Sequence, residues 1–151
     1  MNRRNDAINY FYEGYNCAQA VVLAFKDLLP IDEKILLEMA GSFGGGISRL
    51  RETCGAVSGM AIVLGILYGY NDPKSHELKS KHYQLVQEVI LQFETKNHSL
   101  VCRDLLNIKD KHSSPIPTIR TKDYYDNRPC PNLIGDAVEI LDNYIKEHPC
   151  I

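Results

Sequence analysis

The sequence has no tryptophan, no C-x-x-C pair, no H-E-x-x-H and no apolar run long enough to cross a bilayer. Each absence removes a class of function. Without C-x-x-C, zinc ribbons, thioredoxin-type motifs and C-x-x-C-H haem attachment have no support. The 16 residues from Gly55 to Tyr70 are uncharged, but the ~20 apolar residues that a spanning helix needs are missing. The stretch is also broken by Gly55, Gly59, Gly65 and Gly69, so no membrane insertion is expected. Neither sign of charge is in surplus, since 17 Lys and Arg stand against 19 Asp and Glu, a formal net charge of -2. That balance, without a Trp to stack on a base, gives no footprint for nucleic acid. The N-terminal stretch from Met1 to Glu13 lacks the apolar core of a signal peptide. A cytoplasmic location is therefore expected.

What remains is one ordinary domain of 151 residues, 44% hydrophobic and 24% charged, long enough to bury a core without staples. Apolar residues recur at helical spacing along most of it. The pattern predicts helices over Asp6 to Tyr15, Cys17 to Leu29 capped by Asn16, and Glu33 to Ala40 capped by Asp32. In the third, Ile35, Leu36 and Met39 are expected to face inward. Gly41-Ser42-Phe43-Gly44-Gly45-Gly46 then breaks the chain, with four glycines in six residues. Such a loop lets backbone approach a bound group closely, which makes Gly44, Gly45 and Gly46 candidate cofactor-binding residues. A central buried helix follows from about Thr53 to Tyr68. Asp72-Pro73 signals another, to about Thr95, expected to bury Leu78, Leu85, Val89 and Phe93. Ser99 can cap a short helix from Leu100 to Leu106. Residues 108 to 129 are polar and proline-containing and read as a long irregular connection. The last helix runs from Pro131 to about Glu147. No strand is predicted, and the class is all-α, a single helical bundle.

Cysteine carries the chemistry. The five are an odd number, so complete pairing within one chain is impossible. Cys17, Cys54, Cys102 and Cys130 each fall at a predicted helix start, where unpaired N–H groups and the helix dipole favour a thiolate. Thiolate is the nucleophilic and metal-binding form. Intervals of 37, 48 and 28 residues separate the four, so only the fold could assemble them. The competing reading has these cysteines packed as small hydrophobes in a helical protein-interaction module. Cys150, beside the chain end, is expected to do nothing. Arg49 and Arg51 read first as solvated charges at a helix start, and second as a hold for an anion.

The segment Cys54-Gly55-Ala56-Val57-Ser58-Gly59, a C-G-A-x-x-G motif, resembles the C_GCAxxG_C_C family of redox-active proteins. Asn16-Cys17-Ala18-Gln19-Ala20 resembles that family's first cysteine segment, and Gly41 to Gly46 its glycine loop. Cys102 and Cys130 match the remaining two cysteines, and the resemblance covers about residues 10 to 145. It implies redox chemistry on four cysteines and names no substrate or cofactor.

Two mechanisms follow for Cys17, Cys54, Cys102 and Cys130. They exchange disulfides with a redox partner protein, or they hold a metal or iron–sulfur centre. At least three are expected around one pocket. Cys54 is expected to be the most reactive, with a lowered pKa from its helix start. Cys130, approached through the 108 to 129 connection, is expected to be the resolving thiol. A homodimer is conceivable from the small-residue helix faces.

Overall fold

A computed structural model describes residues 2 to 150 and is all-α. Its first helix, α1 (Arg3–Tyr12), starts three residues earlier than periodicity suggests. The cause is Asn2, whose side chain accepts from the Asn5 N–H and caps the helix. Helix α2 (Cys17–Leu23) opens on a reciprocal cap: the Asn16 side chain accepts from the Gln19 N–H, and the Gln19 side chain from the Asn16 N–H. The chain then tightens into a 3-10 turn at Lys26–Leu28, so α2 ends well short of Leu29.

Helix α3 (Glu33–Gly41) is capped by Asp32 as expected. Of its three apolar residues assigned to the core, only Leu36 is buried, while Ile35 and Met39 are exposed. Helix α4 (Gly55–Tyr68) is the central apolar helix, and α2 packs more extensively on it than on any other element. Helix α5 (His76–Asn97) is capped by Ser75 rather than Asp72, which leaves Leu78 exposed in its first turn. Val89 and Phe93 are buried farther along. Short α6 (Cys102–Leu105) and α7 (Lys122–Asp126) precede the long α8 (Cys130–Glu147).

Helix α8 lays Ile134, Ala137, Val138 and Leu141 into the core against α1, α4 and α5. Polar contacts fix its angle to α1. Arg4 pairs with the buried Asp136 at 2.9 Å, and Lys96 of α5 reaches the same carboxylate at 3.1 Å. No helix among the described residues is long and apolar enough to cross a membrane.

The 108 to 129 connection is not irregular throughout. Thr121 caps α7 by accepting from the Tyr124 N–H, and Tyr124 and Tyr125 then pack on Phe11 of α1, with ring centroids 6.4 and 5.9 Å away. Aromatic contacts rather than an apolar stripe hold this segment, so no periodicity announces it.

Candidate functional site

The four cysteines predicted at helix starts are found there. Cys17, Cys102 and Cys130 are the first residues of α2, α6 and α8, and Cys54 is the residue before α4. All four line one cavity of about 320 Å³, and Cys150 does not. Each is a free thiol. Cys54 and Cys130 also contribute to the apolar core, so packing and site overlap at these two residues.

Close backbone approach brings the cysteines together. Cys54 and Cys102 lie on two segments joined by a single antiparallel bridge between Thr53 and Val101. The Cys54 N–H donates to the Leu100 carbonyl at 2.8 Å, and the Cys102 N–H to the Glu52 carbonyl at 2.6 Å. Cys17 reaches them because residue 55 is glycine. A Cβ there would stand 3.0 Å from the Cβ of Cys17 and 2.9 Å from the Phe43 carbonyl. Gly55 thus admits Cys17 to the group.

The glycine loop does unusual work. Gly45, Gly46, Ile47, Ser48 and Arg49 all have positive φ, between 48° and 71°, and so does Arg51. Consecutive left-handed residues with side chains cost about 1–2 kcal/mol each. The turn closes through Arg51 N–H to Gly45 carbonyl and Glu52 N–H to Gly46 carbonyl bonds of 3.1 and 3.0 Å. It sets Gly46 under Cys102, where a Cβ would come within 2.7 Å of the cysteine Cβ. Gly44 and Gly45 stand on the cavity wall, with Gly44 against Asn16, while Gly46 is buried against protein.

The same turn delivers Arg51 inward. It is only 3% exposed, which corrects the expectation of a solvated charge. Its Nε donates to Ser113 Oγ at 2.9 Å and its Nη1 to Cys102 Sγ at 3.7 Å. Arg49 donates to the Ser114 carbonyl at 2.6 Å and to Thr118 Oγ1 at 3.2 Å. The two arginines therefore tie down the 113 to 118 segment, of which Pro115, Pro117 and Thr118 line the cavity. Arg120 and Arg128, from the same connection, also line it. Sequence reasoning overlooked both. Arg128 had a signal, since it precedes Cys130 by two residues, whereas nothing in the sequence singles out Arg120.

The thiols divide by environment. Burial raises Cys54 to about 12, although the Ala56 and Val57 N–H groups of the helix start pull the other way. The expected low pKa at Cys54 is thus overturned: desolvation outweighs the helix end. Burial also raises Cys102, against the opposing pull of Arg51. Cys17 and Cys130 line the same cavity, and each shifts the other's titration. The Cys17 thiol stabilises a Cys130 thiolate, which Arg128 and Arg51 also favour, and Cys130 comes down to about 7. Cys17, as the member that keeps the proton, is pushed well up.

A metal or cluster needs thiolates converging on a common point. Among the described residues, no three His, Cys, Asp or Glu side chains are arranged to hold a metal ion. The four cysteines do not fit such a centre in this arrangement.

Comparisons with curated proteins and with solved structures gave no match. The profile of the family described as "Putative redox-active protein (C_GCAxxG_C_C)" matches residues 15–144, a span that takes in all four cavity cysteines, and the chain belongs to that family.

Proposed function

We propose that the protein is a cytoplasmic dithiol redox protein in which Cys130 attacks and Cys17 resolves. The observation that carries this reading is that Cys17 and Cys130 line one cavity with Arg128 and Arg51, where one thiol favours the other as a thiolate. At neutral pH a thiol with a pKa near ambient pH is the best placed to attack a disulfide.

The Cys130 thiolate attacks one sulfur of a partner disulfide, forming a mixed disulfide and expelling the first partner thiolate. Cys17 then attacks the Cys130 sulfur, closing the Cys17–Cys130 disulfide and expelling the second. The proton of Cys17 goes to one leaving thiolate, and the other takes a proton from water. Two electrons pass from the protein to the partner. Cys54 and Cys102, kept protonated by burial, take no part in the first exchange. This assignment reverses the expected ranking, with Cys130 rather than Cys54 as nucleophile.

Limited oxidation followed by disulfide mapping tests the proposal. The first bridge formed should join Cys17 to Cys130. A first bridge that leaves both of them free would remove it.

A further inference from the structure

The dithiol reading leaves the arginines around the cavity with more charge than it uses. Arg49, Arg51, Arg120 and Arg128 line the cavity, and no Asp or Glu does. None of the four enters an ion pair among the described residues, while Arg3, Arg4 and Arg103 all do. The chain has more carboxylates than cations overall, 19 against 17 Lys and Arg, so the gap is local.

Hydrogen bonding accounts for only part of this set. Arg120 is committed to the backbone, donating to the Phe11 and Tyr15 carbonyls. Arg49 and Arg51 each use Nε and one terminal nitrogen on protein, and their other terminal nitrogens have no partner among the described residues. Arg128 donates no hydrogen bond to the described residues and stacks over the Tyr124 ring at 4.5 Å, its hydrogen-bonding edge unspent. One Cys130 thiolate balances one of these charges. Burial keeps Cys54 and Cys102 neutral, and the Cys130 neighbour together with burial pushes Cys17 up, so it is neutral too.

Concentrated, partly desolvated cations of one sign suit an anionic occupant, and planar guanidinium groups suit a carboxylate in particular. The volume of about 320 Å³ lies at the small end of small-molecule sites. Pro115, Pro117 and Thr118 of the 113 to 118 segment, which Arg49 and Arg51 hold, form part of the cavity wall.

We infer that the substrate of this site is a small disulfide bearing a carboxylate, which Arg128, with Arg49 and Arg51, holds while its sulfur faces Cys130 and Cys17. The inference rests on the dithiol reading for its chemistry, which is the exchange already written. The protein dithiol becomes a disulfide, and the small disulfide becomes two thiols.

The experiment compares anionic iodoacetate with neutral iodoacetamide and follows each cysteine by mass spectrometry, with exposed Cys150 as internal standard. The iodoacetate-to-iodoacetamide rate ratio at Cys130 should exceed that at Cys150 by roughly tenfold, the effect of a single favourable charge contact. In Arg128→Gln the ratio should fall toward the Cys150 value, and in Arg128→Lys it should be partly kept. If Arg128 served only the thiolate, Arg128→Gln would slow both reagents equally and leave the ratio unchanged, which overturns the inference. If Cys130 reacts with neither reagent, a second readout decides. In Cys17→Ser/Cys130→Ser protein, dithiodipropionate should raise the thermal midpoint and neutral dithiodiethanol should not. Equal shifts, or none, overturn it. Failure of the Cys17–Cys130 bridge with the anion preference intact would remove the dithiol reading alone.

Discussion

The cavity holds two pairs of cysteines that share a location at helix starts and differ in almost everything else. Cys54 and Cys102 sit on the bridged 51 to 54 and 100 to 103 segments, sealed by the glycine turn. Cys17 and Cys130 begin α2 and α8 and line the same cavity, each shifting the other's titration. In the first pair burial wins and both thiols are raised. In the second, a thiol partner and two arginines outweigh burial at Cys130. A helix N-terminus supplies a modest stabilisation, and desolvation of a buried thiolate exceeds it. What selects the reactive cysteine is therefore the company of a proton donor and fixed cations.

The largest effect expected from this contrast is in reactivity. Cys130 near 7 and Cys54 near 12 differ by about five units in pKa. Thiolate fraction alone would separate their rates by roughly 10⁴–10⁵, and the lower nucleophilicity of the more acidic thiolate returns about half of that on a logarithmic scale. Alkylation at neutral pH should thus find Cys130 faster than Cys54 by about 10²–10³. Comparable rates in folded protein would erase the distinction between the pairs.

Gly55→Ala should couple the two pairs destructively. The added Cβ meets the Phe43 carbonyl at 2.9 Å and Cys17 at 3.0 Å, and backbone cannot swing aside as a side-chain tip would. Overpacking of this kind costs about 1–3 kcal/mol. A chemical denaturation midpoint should fall accordingly, and closure of the Cys17–Cys130 bridge should slow. An unchanged midpoint would mean that the contact gives way without cost.

How much of this could be read in advance depends on whether a feature is local. Asn16 and Asp32 announce their helices because a cap is a contact between near neighbours. Asn2 and Ser75 were both overlooked, the second because Asp72-Pro73 signals a start three residues too early. The four cysteines and the glycine loop were legible as types and positions. Their ranking was not, because the burial of Cys54 and the meeting of Cys17 with Cys130 are properties of the packed chain. The arginines show the limit best. Arg51 looked solvated beside a glycine loop, yet a run of left-handed residues turns it into the interior. Arg120 comes from a segment held by rings on Phe11, which leaves no periodic trace.

A smaller effect sharpens the account of the reactive pair. Cys17→Ala removes the thiol that stabilises the Cys130 thiolate, while Arg128 and Arg51 remain. The midpoint of the Cys130 alkylation profile should rise by about one pH unit. The linked stability runs in the same sense. Because folding depresses the Cys130 pKa, its contribution is full above the unfolded thiol value and is lost as pH falls through about 7. That contribution should therefore be a gain between neutral pH and the ordinary thiol range, opposed from the unfolded thiol value upward by the raised Cys17, Cys54 and Cys102. Cys17→Ala should show less of that gain. An unmoved midpoint would assign the whole effect to the arginines.

The smallest effect tests whether the α2 start matters to the pair at all. Asn16 accepts from the Gln19 N–H at 2.9 Å and donates its amide to the Gly41 carbonyl at 3.0 Å, and so ties the first turn of α2 to the end of α3. Its neighbour Cys17 is presented to Cys130 from that turn. Asn16→Ala deletes both contacts and should cost about 1 kcal/mol in unfolding free energy. Because the turn loosens at Cys17 and not at the bridge, Cys130 should lose part of its reactivity while Cys54 keeps its slow rate. Asn16→Asp restores the cap acceptor without the donated bond, so it should recover stability more fully than the Cys130 rate. Equal recovery of both would mean that the cap acts only through the stability of α2, with no separate hold on the thiol pair.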